Sequence, residues 1–130
     1  MAKYPRLLTM VASATVLALA GGVQAATLVT PPAVLSDNAT VFCMLVNAGT
    51  GPIQVTNTVH NTLGADISGG NTCPTPPATL DPGATCWTMF ATGGHTPVYC
   101  RFTSSSSKVR GSLIVRDANG TFGTTVPATK

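Results

Sequence analysis

The chain contains no glutamate and few charged residues of any kind. Charged side chains make up 8% of its 130 residues, with seven lysines and arginines against four aspartates. Lys3 and Arg6 lie in a predicted leader, so the rest of the chain has five basic residues, four aspartates and a net charge of about +1. A charge this small excludes the long-range attraction that binds nucleic acids or anionic membranes.

The shortage of charge also indicates the fold class. Glutamate, lysine and arginine are typical of helices, whereas threonine and valine, which are abundant here, favour strands. Short apolar or alternating runs recur at intervals of about ten residues, with turn-forming residues between them. The sequence therefore predicts an all-β sandwich of two antiparallel sheets with about seven strands.

Residues 1–25 predict a secretory signal peptide. Lys3 and Arg6 give it a positive start, an apolar segment shorter than the ~20 residues of a membrane span follows, and Ala25 ends a small-x-small cleavage pattern. Cleavage leaves residues 26–130 as a single domain. We therefore expect an exported protein, periplasmic or extracellular, with no transmembrane segment in its mature chain.

Two of the predicted strands bear on function. Residues 40–47 are apolar on both faces, which predicts that one face packs on the opposing sheet and the other under a loop or neighbour. Residues 53–60 alternate between apolar and polar, as in a half-buried antiparallel strand with His60 on its solvated face. Further along, residues 117–120 predict a hairpin turn.

Four cysteines in an oxidising compartment predict disulfides, and four cysteines allow three pairings. Cys43 and Cys100 both lie on the apolar phase of their strands, which suits a bridge between facing sheets. Cys73 and Cys86 would then close a local loop across a proline-rich turn. This nested pairing is the one that the sequence favours.

Residues 41–126 resemble a group of small exported bacterial proteins of uncharacterised function. The resemblance lies in the strand of Cys43, the turn at 80–86, the strand at 99–102 and the segment 109–113. It implies an immunoglobulin-like β-sandwich with four cysteines in two nested disulfides. It implies no catalytic residues.

The reactive side chains form no recognisable motif. A Gly-x-Ser-x-Gly nucleophile elbow is absent from the sequence, so no catalytic residue and no cofactor is predicted. His60 and His95 are weak candidates for metal ligands, but no short spacing joins them, and we predict no metal. Met44 and Met89 are expected to fill gaps in the core.

Arg101, Arg110 and Arg116 are candidate anion-binding residues. They belong to successive predicted strands, where they would form a cationic strip that binds carboxylates through bidentate contacts. An ordinary solvated outer face that discourages edge aggregation is the alternative interpretation, and the sequence favours it.

These observations favour a non-enzymatic exported structural or interaction module whose partner is an unknown protein or surface polymer. One alternative is a cell-surface or periplasmic binder of an acidic glycan, through the arginines, or of a metal ion, through the histidines. Another is a subunit of a surface fibre that exchanges strands with its neighbours.

Overall fold

The computed structural model describes residues 24–92 and 94–130. All but the last two residues of the predicted signal peptide lie outside the described residues, so the cleavage stays a prediction. The described residues form eight strands: β1 (Ala26–Val29), β2 (Ala33–Val34), β3 (Thr40–Asn47), β4 (Val55–Asn61), β5 (Thr85–Ala91), β6 (Pro97–Ser104), β7 (Val109–Arg116) and β8 (Phe122–Pro127).

The strands form two antiparallel sheets. In the first, the β6 sheet, β6 is central, with β4 on one side and β1 and β2 on the other. In the second, the β3 sheet, the strand order is β5-β3-β7-β8. The predicted all-β sandwich is therefore confirmed. Beyond the seven expected strands lies β2, a two-residue strand that follows Pro31 and Pro32, where prolines limit pairing to a short edge segment.

The core lies between the two sheets because every second residue of each strand points inward. Val41, Cys43 and Leu45 of β3 are fully buried, and so are Cys100 and Phe102 of β6. The Cys43–Cys100 disulfide joins these central strands, with 5.5 Å between the two Cα atoms. A covalent bond thus holds the two sheets together at their middle.

The second disulfide joins Cys73 to Cys86, so the nested pairing that the sequence favours is the one in the structure. It ties the loop between β4 and β5 to the second residue of β5. Within that loop, the N–H of Gly69 donates to the carbonyl of Met89, and the N–H of Met89 donates to the carbonyl of Gly70, each at 2.8 Å. The loop therefore pairs with the outer edge of β5 and fixes the position of that strand.

Strand β7 packs closely on the β6 sheet at Gly111. A Cβ atom at this position would lie 2.7 Å from Cε2 of Phe102, closer than real Cβ atoms come to other heavy atoms. Because glycine has no side chain, the fully buried ring of Phe102 fills this space instead. The contact fixes the distance between β7 and the core.

The fourth strand begins two residues later than its predicted start. Ile53 exchanges two backbone hydrogen bonds with Leu80, at 3.1 and 2.7 Å, so its backbone groups are not available to β6. The predicted alternation is otherwise present, since Val55, Asn57 and Val59 are buried on the inner face. The hairpin turn predicted at residues 117–120 connects β7 to β8.

Candidate functional site

The outer face of the β3 sheet carries apolar side chains where polar ones are usual. Residues in register on neighbouring antiparallel strands share one face of the sheet. Phe42 lies opposite Met89 and Ile114, and Met44 lies opposite Trp87 and Ser112. We name this surface the aromatic–arginine face, and its main side chains are Phe42, Met44, Trp87, Ile114, Phe122, Arg110 and Arg116.

Three aromatic rings form a row across this face, with Phe42 in the middle. The ring centroids of Phe42 and Trp87 are 5.7 Å apart in an edge-to-face arrangement, and those of Phe42 and Phe122 are 6.0 Å apart. Cζ of Arg116 lies 5.5 Å from the centroid of Phe42, within cation–π range. The row therefore spans the sheet from β5 to β8 and includes a positive charge.

The side chains of the face are partly open to solvent. Phe122 is 63% exposed, and Phe42, Met44 and Val46 are half-buried. Within residues 24–92 and 94–130, the side chains of adjacent strands bury these residues only in part, so the expected cover by a loop or neighbour is incomplete. Met89 is also half-buried on this face, so neither it nor Met44 fills a gap in the core.

The face carries two positive charges, both from arginines of β7. Arg110 and Arg116 are six residues apart on β7, which corresponds to about 20 Å of extended strand. The carboxylate nearest to them in sequence, Asp117, accepts hydrogen bonds from two backbone N–H groups of its own turn at 2.8 and 2.9 Å. Among the described residues, neither arginine forms an ion pair with a carboxylate.

The structure does not bring the three candidate arginines together. Cys100 and Phe102 point into the core, so Arg101 between them points outward from the β6 sheet. Arg110 and Arg116 point outward from the β3 sheet, on the opposite side of the sandwich. A single strip of all three is therefore excluded, because the strands that carry them belong to different sheets.

The two candidate histidines also have separate surroundings. His60 is buried, although it was expected on a solvated face. Its Nε2 lies 2.8 Å from Oγ1 of Thr58, and its Nδ1 lies 3.0 Å from the carbonyl oxygen of Gly64. Its ring stacks on that of Tyr99, with 5.4 Å between the ring centroids. The loop after β4 covers it, which the strand pattern alone did not indicate. His95 is exposed, and its Nε2 lies 3.8 Å from Oδ2 of Asp37. Within residues 24–92 and 94–130, no three metal-ligating side chains form a group.

One carboxyl group has a perturbed pKa. Hydrogen bonds from the side chain and then the backbone N–H of Ser68 lower the pKa of Asp66, and His60 adds a smaller effect of the same sign. These contacts favour the ionised form of the carboxyl group. The hydroxyl oxygen of Ser68 also accepts the N–H of Val59 at 2.9 Å. Asp66 thus stabilises the loop that covers His60.

An open groove of about 460 Å³ lies between β2 and the β7–β8 hairpin. Val34, Val115 and Val126 supply apolar side chains to its walls, and Asp117 supplies a carboxylate that is already bonded within its turn. No histidine, cysteine, serine or lysine is among the residues that line the groove.

Comparison with known protein families, curated proteins and solved structures finds no significant match for this chain. Among the described residues, no helix has the length and hydropathy that a bilayer crossing requires. The aromatic–arginine face is accordingly the best-defined candidate site, and it rests on geometry alone. Sequence reasoning identified two of its arginines but missed Phe42, Trp87 and Phe122. The apolar outer phase of residues 40–47 was the signal that could have identified Phe42.

Proposed function

We propose that this chain is a non-enzymatic, exported interaction module that presents the aromatic–arginine face to a partner. The leader sequence and the two disulfides support export, and the resemblance to small bacterial proteins with an immunoglobulin-like sandwich is compatible with that address. The sandwich then serves as a rigid support, because a disulfide links its two sheets directly behind the face.

The composition of the face is the observation that carries this proposal. Aromatic residues, methionine and arginine are enriched at protein interfaces, whereas lysine, aspartate and glutamate are depleted. The face contains Phe42, Trp87 and Phe122 with two methionines and two arginines, and the strands that form it place no lysine or carboxylate among them. The face leaves the ring of Phe122 exposed and its other apolar side chains half-buried, and an apolar surface that remains in contact with solvent is a candidate binding surface.

The edge of the β3 sheet gives less support to a fibre subunit. β8 is the exposed edge strand, but its pairing with β7 shifts register between Ile114 and Arg116, and it ends at Pro127. A bulge and a proline both discourage the addition of a further strand. The aromatic–arginine face is therefore a better candidate for a binding surface than the edge at β8.

Site-specific photo-crosslinking tests the proposal without requiring the partner to be known. A photoreactive amino acid at Ser112, on the aromatic–arginine face, should give covalent adducts in the producing cell. The matched control is Thr103, a half-buried hydroxyl residue on the outer face of the β6 sheet. Adducts at Ser112 and not at Thr103 are expected, and equal yields at both positions, or none, would contradict the proposal.

A further inference from the structure

We propose that the partner of the aromatic–arginine face is an acidic polysaccharide, whose carboxylates bind Arg110 and Arg116 and whose sugar rings lie on the aromatic row. This inference rests on the proposed function and adds the chemical class of the ligand. Three features of the face carry it: the spacing of its arginines along β7, the aromatic side chains beside them and the absence of acidic groups from its strands.

The spacing of the arginines indicates an extended ligand with repeated negative charges. Their Cα atoms lie about 20 Å apart along β7, so an extended ligand reaches both side chains more readily than a single small anion does. Each guanidinium presents a planar fork of donors that matches one carboxylate. A polymer with a carboxylate on successive or alternate sugars has negative charges at the required intervals.

The surface beside the arginines is suited to sugar rings. Trp87 and Phe122 lie on opposite sides of the central ring of Phe42, so the row offers apolar area across several strands. Pyranose rings have apolar C–H faces that pack on such side chains while their hydroxyls remain hydrogen-bonded. Ser112 and Thr125 lie in register among the apolar residues of the face and carry hydroxyl groups for those bonds.

The charge of the face argues against a second copy of the chain as its partner. Each copy would bring two arginines and no carboxylate from these strands, so like charges would meet in a symmetric contact. A ligand that carries negative charge removes this repulsion. The arginines therefore select an anionic partner over self-association.

The chain contains a single tryptophan, and it lies on the face, so the emission of Trp87 reports occupancy directly. We expect polygalacturonate to change this emission saturably, and neutral dextran to leave it unchanged. Binding should weaken as salt increases, because the contacts to the arginines are electrostatic. Arg110→Gln and Arg116→Gln should each weaken binding about tenfold, the effect of losing one charge-assisted contact.

Arg101→Gln is the matched control, because it removes the same charge from the opposite outer face. It should bind polygalacturonate as the wild type does, and equal weakening in all three variants would overturn the proposal in favour of non-specific attraction. Binding of polyglutamate as tight as that of polygalacturonate would also overturn it, because the face would then read charge and not sugar. If Ser112 forms adducts with a protein while polygalacturonate fails to bind, the interaction module stands and the polysaccharide does not.

Discussion

Replacing Gly111 by alanine should destabilise the fold strongly, although it adds one methyl group. That methyl carbon would lie 2.7 Å from Cε2, 2.8 Å from Cδ2 and 3.1 Å from Cζ of Phe102. The ring is fully buried and belongs to the central strand of the other sheet, so it has no solvent-filled space to enter. Either the ring leaves its rotamer or β7 moves away from the core.

The expected cost is about 1–3 kcal/mol, the range for adding a methylene to a well-packed core. In a domain of this size each kcal/mol lowers the midpoint of thermal unfolding by roughly 4–8 °C. Urea denaturation of the purified mature protein measures the change in the free energy of unfolding. Gly51→Ala is the control, since a Cβ there meets no heavy atom within 4 Å.

A double variant tests the proposed cause. Phe102→Leu shortens the side chain that the new methyl group would strike, so Gly111→Ala should cost less in that background than in the wild type. The coupling between the two substitutions should fall within the roughly 0.5–3 kcal/mol found for residues in contact. Additive effects, or a Gly111→Ala variant as stable as Gly51→Ala, would refute the argument from close packing.

Three further predictions concern processing, the disulfides and acid stability. Mass spectrometry of the exported protein should find Ala26 at its amino terminus, and an intact Met1 in a membrane fraction would contradict this. Removing the Cys43–Cys100 bridge should lower the free energy of unfolding by about 4 kcal/mol and removing Cys73–Cys86 by about 3 kcal/mol, because the two bridges close loops of 57 and 13 residues. A lower urea midpoint for the variant without Cys73–Cys86 than for the variant without Cys43–Cys100 would contradict the loop-entropy account. Because folding lowers the pKa of Asp66, this carboxylate stabilises the fold above its unfolded pKa of about 3.9, and the stabilisation is lost as the pH falls through the folded pKa. Hydrogen exchange at the N–H of Ser68, which donates to Asp66, should therefore be less sensitive to acid in Asp66→Asn than in the wild type.

The sequence predicted the sandwich well because its signals are local. Alternation of apolar and polar residues identifies Val55 and Val59 as core residues, turn residues separate the strands, and apolar phases select the cysteines that can bridge two sheets. The start of β4 was misplaced because the partner of Ile53 is Leu80, a residue far along the chain. Such pairing depends on tertiary structure and leaves no local trace.

The candidate site was less predictable, because the alternation within a strand shows which residues point outward but not which of the two sheets the strand joins. Arg101 and Arg110 both occupy an outward phase, and only the sheet topology shows that their faces point in opposite directions. His60 has an outward phase as well, yet the loop after β4 covers it. Periodicity therefore identifies the residues that point away from the core. Which of these residues are exposed, and on which side of the sandwich, depends on the loops and on the strand order.

The central strand connects the stability of this domain to its candidate function. On β3, Cys43 points inward to the disulfide, while Phe42 and Met44 on either side of it point outward to the aromatic–arginine face. Since adjacent residues of a strand share one backbone, the bond that holds the sheets together also restrains the backbone that carries the central ring. Binding of a polymer across several strands has a smaller entropy cost when the protein surface is held in this way, because the surface does not need to become ordered first. The inward cysteine would thus support the proposed recognition by the outward phenylalanine beside it.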